Sequence, residues 1–142
     1  RAGVARGAAA LADEMAAVSD ELHVVTDDGS SGRRGLVTDV LSGLLAGGRH
    51  LDRVLAVGPV PMMRAVAETT RGYAVPTVAS LNPVMVDGTG MCGGCRVRVG
   101  TDTRFACVDG PEFDAHLVDF DTLAVRNAAF REQERAACEV VP

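Results

Sequence analysis

Two continuous apolar runs separated by an amphipathic one constrain this fold more than any other feature. "RVLAVG", residues 53–58, and "AVPTVASLN", residues 74–82, have the length and composition of strands buried on both faces of a parallel sheet. Between them, "PVPMMRAVAETTRG", residues 59–72, has prolines near a helix start, an apolar stripe and a closing glycine. Upstream, "LVTDVLSGLLA", 36–46, sets Leu36, Val37, Val40, Leu41, Leu44 and Leu45 on one stripe at the helical period, ended by Gly47-Gly48. The Ala-rich stretch 8–18 reads as a helix, and "LHVVT", 22–26, as a short strand running into the loop "DDGSSGRRG". Helix and strand alternate, so the predicted class is α/β, a partial parallel-sheet domain with helices on its faces. Ligands of such sheets bind beyond the carboxyl ends of the strands. Here those ends are Thr26-Asp27-Asp28-Gly29, Gly58-Pro59 and Ser80-Leu81-Asn82.

After Pro83 the pattern changes. A glycine-rich loop holding Cys92 and Cys95 leads into "CRVRVGTDTRFACVDG", where Val97, Val99, Thr103 and Phe105 alternate with polar residues and "GTD" makes the turn. This predicts a β-hairpin that returns Cys107 beside the Cys92–Cys95 loop. The spacing is Asp87-x4-Cys92-x2-Cys95-x11-Cys107. A thioredoxin-type pair would sit at a helix N-terminus after a strand, whereas this CxxC runs into a strand. Gly88, Gly90, Gly93 and Gly94 let the backbone wrap a compact object and point amides at it. Plant-type [2Fe–2S] loops use C-x4-C-x2-C with a distant fourth cysteine, and the pattern here has an aspartate in the first position. Structural zinc on Cys92, Cys95, Cys107 and either Asp87 or His116 is also chemically sensible, and simple non-ligand thiols are a third reading. Cys138 lies in a polar tail and reads as a non-ligand, and the charged stretch 119–137 reads as helical.

Composition narrows the setting. The chain has 142 residues, 47% hydrophobic and 23% charged, enough for one globular domain with a real core. A net charge of −5 argues against a nucleic-acid surface. No apolar run approaches the roughly 18–20 residues of a membrane span, and no signal peptide pattern opens the sequence. Clustered cysteines without a secretion signal point to a reducing, cytoplasmic compartment. The sequence starts at Arg1 rather than Met, which suggests a piece of a longer polypeptide.

The segment "SLNPVMVDGTGMCGGCRVRVG…FACVDGPEFDAHLVDFD", 80–121, resembles the small flavin and iron–sulfur subunit of NADH-dependent ferredoxin:NADP+ oxidoreductase, also known as a sulfide dehydrogenase subunit. "VSDELHVVTDDGSSGRRGLVTDVL", 18–41, and "AVGPVPMM", 56–63, look like its pyridine-nucleotide domain. The electron-transfer subunit of dihydroorotate dehydrogenase B is similar in layout but uses four cysteines, so Asp87 favours the first family. The resemblance implies a ferredoxin reductase-like fold and a [2Fe–2S] cluster held by Asp87, Cys92, Cys95 and Cys107. It implies a nucleotide-binding portion over 1–82, a cluster segment over 83–118 and a helical tail over 119–142. The flavin barrel, the first nucleotide-domain strand and its Gly-rich loop are not in this sequence, so the piece alone should not turn over.

In the intact subunit the family exchanges a hydride between NAD(H) and FAD and single electrons between FAD and the cluster. Its partner is a larger flavin and iron–sulfur subunit, similar to the small subunit of glutamate synthase, with ferredoxin served indirectly. Gly58 and Pro59 would meet the nicotinamide, and Ser80, Leu81 and Asn82 the flavin edge. Asp27 and Asp28 would bind ribose hydroxyls and favour NAD, although Arg33 and Arg34 pull the other way. An ordinary strand-helix turn or solvated loop also accounts for these residues. Met62 and Met63 read as helix core, His116 as a packed histidine, and "RGY", 71–73, as structural.

Overall fold

A computed structural model describes residues 11–140. The chain forms two compact units, Arg1–Arg49 and His50–Pro142. The first unit holds α1 (Ala12–Val18), β1 (Val25–Thr26), β2 (Arg33–Arg34) and α2 (Val37–Ala46). Residues 8–10 of the expected first helix lie outside the described residues. The stretch expected to be a plain loop turns back on itself. Thr26 Oγ1 donates to the Ser31 carbonyl at 3.0 Å, and Arg33 and Arg34 then pair in parallel with Val25 and Thr26. Gly32, with φ +68°, makes that return possible, because a Cβ there would strike the Val24 carbonyl. On α2, Leu45 is buried and Val40, Leu41 and Leu44 are half-buried. Leu36 and Val37, placed on the same stripe from sequence, are exposed. Leu36 stands at the N-cap, where its backbone N–H is held by Asp39 Oδ2 at 2.8 Å, and Val37 opens the first turn.

The second unit is built on β3 (Val54–Val57), α3 (Val60–Arg71) and β4 (Thr77–Ser80). β3 and β4 are parallel, with Val57 opposite Ser80, and α3 packs on one face through Met63, Val66, Ala67 and Thr70. The expectation of a strand buried on both faces fails for β3. Ala56 is buried beneath α3, but Leu55 and Val57 alternate to the other face and are 60% and 65% exposed. Nor is the sheet wholly parallel: β7 (Glu112–Asp114) adds antiparallel to β4, pairing Ser80 with Glu112, Ala79 with Phe113 and Val78 with Asp114. A buried hydroxyl network stitches α3 to this sheet. Thr77 Oγ1 donates to Thr70 Oγ1, which donates in turn to the Val66 carbonyl, and His116 Nε2 lies 3.0 Å from Thr70 Oγ1. His116 is thus a packed histidine, and Arg71 Nη2 donates to its carbonyl at 2.8 Å.

Between β4 and β7 the chain makes the cysteine loop, the hairpin of β5 (Arg96–Val99) and β6 (Asp102–Phe105), and one helical turn, α4 (Ala106–Asp109). The hairpin forms where expected, but its turn is Gly100-Thr101 and Asp102 already belongs to β6. Val97 therefore faces Arg104 and Val99 faces Asp102, which puts Thr103 and Phe105 on the opposite face from the two valines. The tail is two helices, α5 (Phe120–Asn127) and α6 (Arg131–Val140), rather than one. α5 buries Phe120 and Leu123 and is tied to α3 by Arg64, whose guanidinium donates to both Asp121 carboxylate oxygens at 2.6 and 3.3 Å.

Asp119 caps α5. Its Oδ1 accepts from the Thr122 N–H at 2.9 Å and its Oδ2 from the Thr122 hydroxyl at 2.7 Å. The Thr122 N–H, followed by its hydroxyl, holds the Asp119 carboxyl below the usual carboxylate range. A carboxyl with a depressed folded-state pKa stabilises the fold above its unfolded pKa and loses that contribution as pH falls through the folded value. Asp119→Ala should cost about 1 kcal/mol at neutral pH, the usual value of an N-cap. Denaturant titration should find the gap to wild type closing as pH drops below the ordinary aspartate range. A gap that is the same at pH 7 and at pH 2 would contradict this account of the cap.

Candidate metal centre

The cysteine loop is organised around one carboxylate. Asp87 Oδ1 accepts from the Thr89 N–H and Oδ2 from the Cys92 N–H, both at 2.9 Å. These two bonds fold residues 87–92 over the side chain, and the reversal runs through Gly90 at φ +83°. The Thr89 N–H, and after it that of Cys92, outweighs desolvation and holds the Asp87 carboxyl below the usual range. Cys92 is exposed, and its sulfur accepts from the Gly94 N–H at 3.4 Å.

The other half of the site comes from the hairpin. The Ala106 N–H donates to the Cys95 carbonyl at 3.1 Å, extending the β5–β6 ladder by one step. That step sets Cys107 against Cys95, with their sulfurs 3.1 Å apart and the Cys107 N–H 3.5 Å from Cys95 Sγ. Cys95 is buried. Burial pushes its thiol up, but hydrogen bonding from the Cys107 backbone and side chain outweighs this, so Cys95 ionises below the ordinary thiol value. Cys107 is pushed up, first by the hydrogen bond it shares with Cys95 and then by desolvation.

Of the four expected donors, Cys95 and Cys107 bring their sulfurs together, while the Asp87 carboxylate meets Cys92 through its backbone N–H. Among the described residues no three His, Cys, Asp or Glu side chains converge on one point. A mononuclear zinc site gathers four donors about one ion. A two-iron cluster spreads its protein ligands over two irons and accepts amide hydrogen bonds on its sulfides, which a glycine-rich loop can supply. His116 is engaged with Thr70, and Cys138 is exposed on α6.

Two contacts to this site were not legible in the sequence. Arg126 Nη2, in the last turn of α5, donates to the Gly94 carbonyl at 3.1 Å, and Asn127 Nδ2 donates to the Asn82 carbonyl at 3.3 Å. Arg126 Nε is buried without a hydrogen-bond partner. Nothing in the local spacing of "AVRNAAF" signals a contact thirty-odd residues upstream; only tertiary packing of α5 creates it.

The nucleotide-side residues divide between the two units. Gly58 and Pro59 follow β3, and Ser80, Leu81 and Asn82 end β4, so adjacent parallel strands bring these two groups side by side. A Cβ at Gly58 would run into Met62 Cε. Leu81 is buried and its N–H is taken by the Pro111 carbonyl, which leaves Ser80 and Asn82 as the polar side chains of that strand end. Asp27 and Asp28 follow β1 in the first unit. Asp28 Oδ1 accepts from the Ser30 N–H at 2.9 Å, a turn-closing role, and that N–H holds its carboxyl low.

Residues 82–119 match the family model of the iron–sulfur cluster binding domain of dihydroorotate dehydrogenase B. A Thermotoga maritima homolog of the electron transfer subunit of dihydroorotate dehydrogenase B (NAD(+)) is 50% identical over 91% of this chain and 45% of its own length. The corresponding subunit from Caldanaerobacter subterraneus is 39% identical over 68% of this chain and 40% of its own length. A chain of the NADH-dependent reduced ferredoxin-NADP oxidoreductase, a structure described for flavin-based electron bifurcation, superposes with a TM-score of 0.79. It is 50% identical, and the match covers 89% of this chain and 45% of that one. The chain spans less than half the length of each of these relatives. It carries an iron–sulfur cluster binding domain over residues 82–119 and is related, across most of its length, to electron-transfer subunits of ferredoxin reductase-like fold.

Proposed function

We propose that this chain is the electron-transfer portion of a flavin- and NAD(H)-linked iron–sulfur oxidoreductase, in which Asp87, Cys92, Cys95 and Cys107 hold a [2Fe–2S] cluster. The observation that carries the reading is that the Cys95–Cys107 sulfur contact and the Asp87–Cys92 turn both lie inside the segment that matches a cluster-binding domain. When bound, the cluster supplies one-electron transfer, and the protein sets its distance, ligation and electrostatics. Cys95, buried, and Cys107, half-buried, form the all-thiolate side, and the exposed Asp87 and Cys92 the mixed side. The Asp87 carboxylate is held ionised by two amides and is ready to ligate a hard ferric ion without first losing a proton.

Gly58, Pro59, Ser80 and Asn82 form the edge that faces nicotinamide and flavin in the whole subunit, and Asp27 and Asp28 supply ribose contacts. The partner is a larger flavin and iron–sulfur subunit that passes electrons onward to ferredoxin. The setting is cytoplasmic; among the described residues no helix is long and apolar enough to cross a membrane. The related reading, a dihydroorotate dehydrogenase B electron-transfer subunit, has the matching domain model in its favour. Asp87 in the first ligand position favours the ferredoxin:NADP+ type; identity does not separate the two, since the solved oxidoreductase chain and the Thermotoga maritima homolog each stand at 50%.

Anaerobically purified protein should be coloured and carry iron and acid-labile sulfide in equal amounts. A colourless sample holding one zinc and no sulfide would sink the proposal. Asp87→Cys should retain the cluster but change its midpoint potential and EPR g-values, since a carboxylate and a thiolate donate to iron differently. An EPR spectrum and potential identical to wild type would show that Asp87 is not a ligand.

A further inference from the structure

We infer that Arg126 is a positioning residue for the cluster and that its positive charge raises the cluster's reduction potential. The inference rests on the ligand set proposed above. Arg126 lies on α5, beyond the matched cluster-binding segment that ends at residue 119. Its Nη2 donates to the carbonyl of Gly94, the residue between Cys92 and Cys95 that also gives its N–H to Cys92 Sγ. One side chain thus fixes the peptide that joins the two halves of the ligand set.

Arg126 is not an ordinary surface arginine. Among the described residues it meets no carboxylate within 4 Å, which it shares with most of the arginines; what sets it apart is the burial of its guanidinium base. Its Nε is buried and unpartnered. A buried donor normally finds an acceptor, and leaving one unsatisfied is costly. The guanidinium stays charged in any protein setting. A half-buried cation whose Nε is shut off from solvent, held against the CxxC loop, is compensated when that loop carries anionic thiolates and sulfides.

The helix that presents Arg126 is fixed independently of the loop. Phe120 and Leu123 are buried, Asp121 is bonded to Arg64, and the Asp119 N–H donates to the Arg98 carbonyl at 2.9 Å. Asn127, the next residue, ties Asn82 at the start of the cluster segment. Reduction adds one negative charge to the cluster, and a nearby fixed cation favours the state with more negative charge. Removing the cation therefore lowers the potential.

The test is a dye-mediated redox titration, read by EPR, of full-length protein purified anaerobically. Arg126→Gln should raise the ratio of oxidised to reduced cluster at a fixed ambient potential by about tenfold, which is 59 mV for one electron. Arg126→Lys, which keeps the charge, should stay within about twofold of wild type by the same scale. Asn127→Ala, which loosens only the Asn82 tie, should leave the potential unmoved. An unmoved potential in Arg126→Gln overturns the inference. So does an Asn127→Ala shift as large as that of Arg126→Gln, since loosening α5 would then be the cause. If Arg126→Gln fails to hold iron, Arg126→Lys decides: a wild-type potential supports the inference and a drop overturns it. Wild-type protein without iron overturns the ligand set itself, whereas a cluster indifferent to Arg126 overturns only the role of this arginine.

Discussion

The antiparallel pairing of β7 with β4 is the constraint on which the cysteine side of the molecule depends. Ser80 leaves the sheet and Glu112, its register partner on β7, re-enters it. Everything between them is an excursion pinned at both ends, so the closure entropy of the loop is met by sheet hydrogen bonds and not by the cluster ligands themselves. Within that excursion the β5–β6 ladder does the fine placement. It closes Cys95 on Cys107, while Asp87 closes its own turn on Cys92. Two local devices therefore order the two halves of the cysteine segment, and the sheet pins both of its ends.

This arrangement places the cluster segment at the carboxyl edge of β3 and β4, where a parallel sheet ordinarily receives its ligand. Gly58 and Pro59 end one strand and Ser80 and Asn82 the next, and the cysteine loop follows directly. A nucleotide-side edge and a metal-side loop that share one strand end suit a protein whose task is to pass electrons. The segment matched by the cluster-binding family ends at residue 119, yet α5 beyond it touches both Asn82 and Gly94. The working unit of the centre is thus larger than its ligand-bearing segment, with α5 acting as a brace.

Much of this was legible in the residues. The β3–α3–β4 unit followed from apolar runs of strand length around an amphipathic helix, and the hairpin from alternation around Gly100. Helix caps and turns are local, and a sequence records them. The errors have a common cause, in that they concern what lies beside an element rather than within it. The period of "RVLAVG" says strand but not which faces are covered, so Leu55 and Val57 were misplaced. β7 is three residues long, two of them acidic, and only its neighbour β4 makes it a strand. The hairpin register turned on whether Asp102 joined the turn or the strand, a one-residue difference that moves Phe105 to the other face. At the site, the hairpin that returns Cys107 was legible from alternation, while the closeness of its sulfur to Cys95 and the reach of Arg126 required the tertiary fold.

The central claim is a binuclear centre with one iron on Cys95 and Cys107 and the other on Asp87 and Cys92. Mössbauer spectroscopy of anaerobic, iron-57-enriched protein tests it most directly, because it resolves each iron by its ligands. The account predicts two inequivalent high-spin ferric sites in equal amounts, one in an all-sulfur environment and one with an oxygen donor. A single sulfur-only site, or protein free of iron, would contradict it.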